Sequence, residues 1–271
     1  MKIIDAHLHL FPVDDRSRAM ARAVEHENDT DYLKAYYEAH GIVCGVVMGN
    51  GEITLDSHCY PKPFRYCIGL DSGYLEIHHS LEEAAELVEA HLRRSQCVGI
   101  KLYPGYHPTW VTDAMYHPFY ELARTYQKPV AIHMGMTATP WARLKYAHPL
   151  TLDEVAMQWP EVSFVMCHFG NPFLAEAAAV LEKNPNVCAD LSGLLEGITD
   201  LERYFNVQAG YVGLLRTWMA YVDDYSRFLF GTDFPAVNIG NYIKFIQRLV
   251  PEEHHAAVFF ENANRVYKLG L

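Results

Sequence analysis

Short apolar segments alternate along the chain with longer segments in which apolar residues recur at helical spacing. Segments of the strand type lie at residues 2–9, 42–48, 65–71, 98–103, 130–133, 162–168, 186–191 and 228–232. Segments of the helical type lie between them, at residues 80–94, 116–126, 152–159, 173–183, 212–222 and 242–250. In the clearest of these, Ser80 and Glu83 have the spacing of a capping box ahead of an apolar stripe. The pattern predicts eight strands that alternate with helices.

Strands that are apolar on both faces and alternate with helices indicate a parallel sheet that is covered by helices. Eight such units in a chain of 271 residues favour a closed (β/α)₈ TIM barrel over an open doubly wound sheet, with an extra helix at the C-terminus. No Gly-x-Gly-x-x-Gly motif follows the first strand, which weakens the alternative of a dinucleotide-binding fold. Neither repeats nor a linker are evident, so we expect a single domain over residues 1–271.

Composition and charge exclude several classes of partner. The chain has 33 acidic and 22 basic side chains and a formal net charge of −11, so it lacks the basic surface that nucleic acids and anionic membranes require. No apolar stretch approaches the ~20 residues that span a bilayer, and Asp5 and His7 interrupt the N-terminal apolar segment, which argues against a secretory signal. We therefore expect a cytoplasmic protein that acts on a small molecule.

The cysteines show no Cys-x-x-Cys spacing, so we expect buried, reduced thiols at all of them. They are Cys44, Cys59, Cys67, Cys97, Cys167 and Cys188. The chain also has fifteen histidines, and most of them lie in predicted loops and on helix faces. We expect a surface position for His26, His40, His58, His78, His79, His91, His107, His117, His148, His254 and His255.

Polar side chains occur where several of the predicted strands end. Alternation along the first strand places Asp5, His7 and His9 on one face, so two imidazoles can reach one metal ion. Other strand ends carry Lys101, His133, His168 and Asp233. The C-terminal ends of barrel strands meet at the rim that holds the active site in TIM barrels. Because burying such groups without partners costs several kcal/mol, the pattern predicts that they form one site.

In this order, the motif His7-Leu8-His9 and the residues Lys101, His133, His168 and Asp233 resemble the amidohydrolase superfamily of metal-dependent TIM-barrel enzymes. The finer similarity is to its amidohydrolase-related branch, which includes aminocarboxymuconate-semialdehyde decarboxylase and the resorcylate-type decarboxylases. Segments similar to that branch are residues 99–104, 159–162, 167–170, 189–193, 231–235 and 261–267. The resemblance covers nearly the whole chain.

The resemblance implies four ligands for one divalent ion, namely His7, His9, His133 and Asp233. Zn²⁺ is the expected ion, because nitrogen and carboxylate donors suit it. Asp233 would also accept and carry a proton, and His168 would act as an acid outside the ligand set. Asp5 would either orient one of the histidines or form a hydrogen bond lower in the barrel.

Three roles are open for Lys101. It would be a cation in the pocket that holds a substrate carboxylate, as in the mononuclear branch that the chain resembles. In binuclear members of the superfamily, a lysine in a similar Lys-Leu-Tyr-Pro setting is carboxylated and bridges two metal ions. In that case a second ion would bind, with His168 as one of its ligands. The third role is a structural ion pair.

The segment of residues 134–149 is long for a barrel loop, and such loops often bind ligands. We expect Arg143 and Lys101 to bind an anionic group of the substrate, with Trp141 and Tyr106 stacking on it. The alternative is an ordinary solvated loop. The long charged segment after the first strand, residues 11–31, would help to shape the mouth of the barrel.

The resemblance is compatible with two reactions. The first is hydrolysis of an amide, lactone or ester by metal-activated water, and the shorter chain favours it slightly over the second. The second is non-oxidative decarboxylation of a small carboxylic acid on the same residues. A third hypothesis, a metal-binding protein without activity, is disfavoured by the intact set of ligands, acid and base. The branch is commonly dimeric or higher, so a homodimer is the expected assembly.

Overall fold

The fold is that of a computed structural model, which describes residues 1–10, 15–71 and 79–271. All the strand pairs are parallel, and each strand lies beside the next in sequence order. The strands are β1 (Ile3–Leu8), β2 (Ile42–Met48), β3 (Phe64–Leu70), β4 (Cys97–Leu102), β5 (Val130–Ile132), β6 (Phe164–Met166), β7 (Val187–Asp190) and β8 (Phe228–Leu229). The Ala6 amide donates to the Phe230 carbonyl at 2.9 Å, and Leu8 pairs with Phe234. These contacts close the sheet, which confirms the predicted TIM barrel.

Helices surround the barrel. In the described residues they are α1 (Asp15–Ala23), α2 (Thr30–Ala39), α3 (Leu81–Leu92), α4 (His117–Tyr126), α5 (Leu150–Gln158), α6 (Leu174–Lys183), α7 (Leu201–Val207), α8 (Ala209–Val222), α9 (Ile239–Leu249) and α10 (Asn262–Val266). The predicted capping box at the start of α3 is present, with Ser80 and Glu83 bonded to each other's backbone amides. None of these helices combines the length and the apolar character that crossing a membrane requires.

The core has two layers, which follow from the alternation of strand side chains. One face of the strands packs against the helices, with large side chains such as Phe64 and Phe164. The other face fills the barrel with small ones, among them Ala131 and Cys167. Tyr267, just after the predicted C-terminal helix, joins this inner cluster. The inner side chains are small enough for polar groups to share the space inside the barrel.

Strict alternation is wrong at one place in β1. Its pairing with β2 is irregular between Asp5 and Leu8, and the Tyr37 hydroxyl of α2 donates to Asp5 at 2.8 Å. Asp5 therefore faces the helix layer, whereas the His7 ring contacts Asp190 of β7. The expectation that Asp5 and His7 share a face is overturned by this irregularity.

Several element boundaries also differ from the prediction. Strand β6 ends at Met166, because His168 and Phe169 take left-handed backbone angles, with φ of 60° and 46°, in a turn. The connection from β2 to β3, residues 49–63, is irregular and contains no helix. Helices α1 and α2 occupy much of the segment that we expected only to shape the mouth. Residues 11–14 of that segment lie outside the described part of the chain.

Three of the histidines expected at the surface are buried, namely His26, His58 and His91. Hydrogen bonds satisfy the buried ring of each of them. The ring of His91, for example, contacts the Tyr66 hydroxyl and the Ile53 carbonyl. Among the cysteines, which are all free, Cys59 is exposed rather than buried. His78 lies outside the described residues.

Candidate metal centre

Three potential metal ligands converge at the C-terminal mouth of the barrel. His7 lies near the end of β1, His9 directly follows β1, and Asp233 follows β8. The Oδ1 atom of Asp233 lies 3.4 Å from His7 Nε2 and 3.5 Å from His9 Nε2. Ligand atoms about 2.1 Å from a tetrahedral ion are about 3.4 Å apart, so this spacing suits a shared ion.

The hydrogen bonds of the two imidazoles determine which nitrogen of each ring carries the hydrogen and which one faces Asp233. His7 Nδ1 lies 2.9 Å from the Asp190 carboxylate, and His9 Nδ1 lies 3.1 Å from the Met48 carbonyl. Both partners are acceptors, so each Nδ1 carries the hydrogen and each Nε2 is unprotonated. His7 Nε2 is also buried without a hydrogen-bond partner among the described residues. These donors fit a divalent cation.

The electrostatics of the site keep the ligands in their metal-binding forms. Burial lowers the pKa of His7 to about 4, an effect that Asp190 opposes and Lys101 reinforces. Burial would raise the pKa of Asp233, but His168, His9 and His7 together hold it below its usual range. A neutral imidazole and an ionised carboxylate are the forms that bind metals.

His133 and His168 form a second imidazole pair beside this group. His133 Nδ1 lies 3.1 Å from His168 Nε2, and His133 Nε2 lies 3.0 Å from the Met136 carbonyl. The carbonyl requires a hydrogen on Nε2, so Nδ1 is the nitrogen of His133 that can bind a metal ion. The ligand atoms within 4.8 Å of one another are those of His7, His9 and Asp233. His133 is thus adjacent to the group but directed towards His168.

The structure adds Asp190 and Ser192, which the sequence analysis did not assign to the site. Asp190 ends β7, and both residues are fully buried. The Ser192 hydroxyl lies 2.9 Å from His168 Nδ1. Their signal was present in the sequence, because Asp190 and Ser192 are polar residues two apart at the end of a predicted strand.

Lys101 lies inside the barrel on β4, with no exposed surface. Its Nζ atom donates to the Cys167 thiol at 2.9 Å and lies 5.0 Å from the centre of the Tyr103 ring. The thiol and the ring compensate an ammonium group only weakly. Lys101 therefore hydrogen-bonds to a thiol, whereas a structural ion pair would need a carboxylate.

Of the remaining residues predicted to bind the substrate, one lies beside the candidate metal ligands and two do not. The Tyr106 ring lies 5.1 Å from that of His133, and its hydroxyl accepts a hydrogen bond from the Ala138 amide. Trp141 is 78% exposed, and Arg143 is exposed as well. The structure brings Tyr106 to the site but leaves the side chains of Trp141 and Arg143 in solvent.

Asp5 supports the backbone beneath the site. It accepts hydrogen bonds from the backbone amide of His7 at 3.3 Å and from the Thr232 hydroxyl at 2.7 Å. Burial raises its pKa to about 6, although these hydrogen bonds oppose the shift. Of the two roles considered for Asp5, the structure supports the hydrogen bond lower in the barrel.

Solved structures of the same fold match the chain from end to end. An uncharacterized TIM-barrel protein from Bordetella bronchiseptica has a TM-score of 0.73 at 20% identity, covering 99% of each chain. A probable 2-pyrone-4,6-dicarboxylic acid hydrolase from Acinetobacter baumannii, with citric acid bound, has a TM-score of 0.67 at 15% identity, covering 99% of this chain and 100% of its own. A dihydroxybenzoic acid decarboxylase from Polaromonas sp. JS666, with bound manganese and an inhibitor, has a TM-score of 0.68 at 14% identity, covering 100% and 98%.

At these identities the likeness establishes the fold. None of the curated proteins matches the chain. The model of the amidohydrolase family, however, matches residues 64–269, which is more than half of the 271 residues. The match confirms the resemblance seen in the strand-end motifs: the chain belongs to the amidohydrolase family.

Proposed function

We propose that the protein is a divalent-metal-dependent hydrolase that cleaves a C–N or C–O bond in an amide, lactone or ester of a small anionic substrate. The observation that carries the proposal is the convergence of two unprotonated imidazole nitrogens on one carboxylate oxygen at the barrel mouth, at 3.4 and 3.5 Å. The surrounding hydrogen bonds hold these atoms as lone-pair donors, as a cation site requires.

His7, His9 and Asp233 would hold the ion, with His133 Nδ1 as the fourth donor. Zn²⁺ is the ion that we propose, since three nitrogens and one carboxylate suit it. When bound, the ion would supply Lewis-acid polarisation of water and of the substrate carbonyl.

The chain's own residues would carry the protons and orient the substrate. Asp233 is ionised and 23% exposed at its side chain, so it can accept a proton from water at the mouth. His168 would donate a proton or a hydrogen bond from Nε2 to the leaving group or the developing oxyanion. Lys101 would attract a substrate carboxylate into the barrel mouth, and Tyr106 would pack against the substrate. Trp141 and Arg143 would contribute only if the loop moved towards the site.

The same residues support a second candidate, non-oxidative decarboxylation. The specific observation in its favour is the Polaromonas structure, a decarboxylase of this fold that contains manganese. For this reaction Asp233 or His168 would protonate the carbon atom that loses carbon dioxide. Lys101 would again hold a carboxylate.

Metal content and a substrate panel test both candidates. Protein prepared with bicarbonate and Zn²⁺ or Mn²⁺ should contain one equivalent of metal. Nζ of Lys101 donates a hydrogen bond to a thiol, so we expect an ammonium group there and not a carboxylated lysine that bridges two ions. Close to two equivalents would instead indicate a carboxylated Lys101, with His168 as a ligand of the second ion. A His7→Asn variant should lose the metal, whereas the exposed control His117→Gln should retain it.

The panel should contain amides, lactones and esters with and without a carboxylate, together with free carboxylic acids assayed for carbon dioxide release. Hydrolysis of the carboxylate-bearing compounds is the expected result. Equal turnover of neutral analogues would contradict the anionic substrate, and carbon dioxide release without hydrolysis would establish the second candidate. Wild-type protein that retains no metal would overturn both.

A further inference from the structure

One buried carboxylate contacts both the candidate ligand His7 and the candidate proton carrier His168. Oδ2 of Asp190 lies 2.9 Å from His7 Nδ1. Oδ1 accepts hydrogen bonds from the backbone amide of His168 at 2.9 Å and from that of Ser192 at 3.1 Å. The Ser192 hydroxyl also donates to Oδ1 and lies 2.9 Å from His168 Nδ1. Asp190 therefore links the two imidazoles, directly on one side and through a hydroxyl on the other.

The direction of every hydrogen bond in this group follows from its acceptors. Three donors converge on Oδ1 of Asp190, namely two backbone amides and the Ser192 hydroxyl, which is the pattern of an ionised carboxylate that only accepts. The Ser192 hydroxyl gives its hydrogen to Asp190 and must accept from His168. The Ser192 carbonyl, 3.2 Å from the same nitrogen, can also only accept. Nδ1 of His168 is therefore protonated, and Nε2 faces the site.

We propose that Asp190 and Ser192 are positioning residues that together keep a hydrogen on Nδ1 of both His7 and His168. Asp190 makes His7 present its Nε2 lone pair to the metal ion, and the relay through Ser192 makes His168 present Nε2 to the substrate. The inference rests on the proposed metal-dependent function and extends it, because the ligand and the proton carrier are oriented by the same carboxylate.

An asparagine at position 190 would disrupt this arrangement on chemical grounds. If its oxygen accepts from the three donors of His168 and Ser192, its NH₂ group faces His7 Nδ1. That contact is favourable only if His7 gives up the Nδ1 hydrogen and becomes protonated at Nε2, where it can no longer bind metal. Asp190→Asn should therefore weaken metal binding by about 10- to 100-fold.

Ser192→Ala should separate the two halves of the relay. The contact between Asp190 and His7 remains, so we expect the dissociation constant for Zn²⁺ or Mn²⁺ to stay within about twofold, while kcat falls about tenfold at unchanged KM. A merely structural role would weaken metal binding in both variants. Equal losses of metal affinity in Asp190→Asn and Ser192→Ala, or unchanged affinity in Asp190→Asn, would contradict the proposal.

Asp5→Asn is the matched control. Asp5 is also a buried carboxylate that accepts from a hydroxyl, but its hydrogen bonds are to Thr232, Tyr37 and the backbone amide of His7 and reach no imidazole ring. Its variant should lower stability and leave the metal dissociation constant within about threefold.

Imidazole ¹⁵N NMR on the metal-free wild-type protein tests the relay without activity. Both His7 and His168, assigned by single histidine variants, should carry a hydrogen on Nδ1, and an unprotonated Nδ1 on either ring would overturn the inference. This measurement stands even if a variant fails to fold. It also stands if the wild-type protein binds no metal, a result that would contradict the proposed function and not the relay.

Discussion

Lys101 carries a charge at a position where the fold gains little from it. The side chain has no exposed surface, and its ammonium group contacts a thiol and an aromatic face. Replacing a poorly compensated buried charge by an apolar side chain of similar length is often neutral or stabilising. We therefore expect Lys101→Met to leave the free energy of unfolding unchanged or to raise it by about 1–3 kcal/mol. Urea denaturation measures this, and kcat/KM for carboxylate-bearing substrates should fall in the same variant.

Lys128 provides the control for this prediction. This lysine is partly buried, and its ammonium group donates to the carbonyls of Leu92, Arg94 and Cys97. Lys128→Met removes the ammonium donor from these three carbonyls, so we expect a loss of about 1–3 kcal/mol in the free energy of unfolding. An equal loss in Lys101→Met would show that the Lys101 charge is well compensated and would weaken its role in substrate binding.

The sequence indicated which residues gather at the barrel mouth but not how their atoms are directed. His7, His9 and Asp233 could be predicted because polar residues at strand ends are conspicuous among apolar ones. The orientation of His133 towards His168 depends on the left-handed backbone of His168, which few residues other than glycine adopt and which local preferences do not predict. Asp190 was overlooked although the same strand-end argument applies to it.

At the scale of elements, helices with clear terminal signals were predictable and connections were not. The capping box of Ser80 and Glu83 marked the start of α3. Between β2 and β3 the barrel alternation predicted a helix, yet residues 49–63 include Gly49, Gly51, Pro61 and Pro63, which disfavour one. Side chains of neighbouring elements instead hold this connection by hydrogen bonds, among them His91 of α3, which bonds to the Ile53 carbonyl.

The contacts of His91 make the stability of the folded state depend on pH. Its Nε2 lies 3.0 Å from the Ile53 carbonyl and its Nδ1 lies 2.8 Å from the Tyr66 hydroxyl, so both ring nitrogens are hydrogen-bonded in the folded state. Burial lowers its pKa from 6.5 to about 4. Between these values the unfolded chain binds more protons than the folded one, so stability falls as the pH drops from about 6.5 to 4, by at most about 3 kcal/mol for this group.

The variant His91→Gln should reduce this dependence on pH. Its free energy of unfolding, measured in urea at pH 7 and at pH 4.5, should differ less between the two than that of the wild-type protein. The exposed His117 gives the control, because His117→Gln should retain the full wild-type difference. The same difference in all three proteins would mean that His91 is not buried as a neutral ring.

For the whole molecule, the candidate metal centre lies across the seam that closes the barrel. His7 belongs to the first strand, His9 directly follows it, and Asp233 follows the last strand. The backbone amide of Asp233 donates to the His7 carbonyl at 2.8 Å. A ligand that binds only the folded state stabilises it, by about 4 kcal/mol at a thousand times its dissociation constant. An ion that joins the first strand to the last should therefore raise the melting temperature by about 5–10 °C.

The net charge of −11 determines the control for this measurement, because an acidic surface attracts any divalent cation. Mg²⁺ has the same charge as Zn²⁺ but prefers oxygen donors, so at equal concentration it should shift the melting temperature of EDTA-treated protein much less than Zn²⁺ does. His7→Asn should abolish the shift with Zn²⁺ and Mn²⁺, whereas His117→Gln should preserve it. Equal shifts with Zn²⁺ and Mg²⁺, or an undiminished shift in His7→Asn, would assign the effect to the acidic surface, because only a site with imidazole ligands distinguishes these two ions and depends on His7.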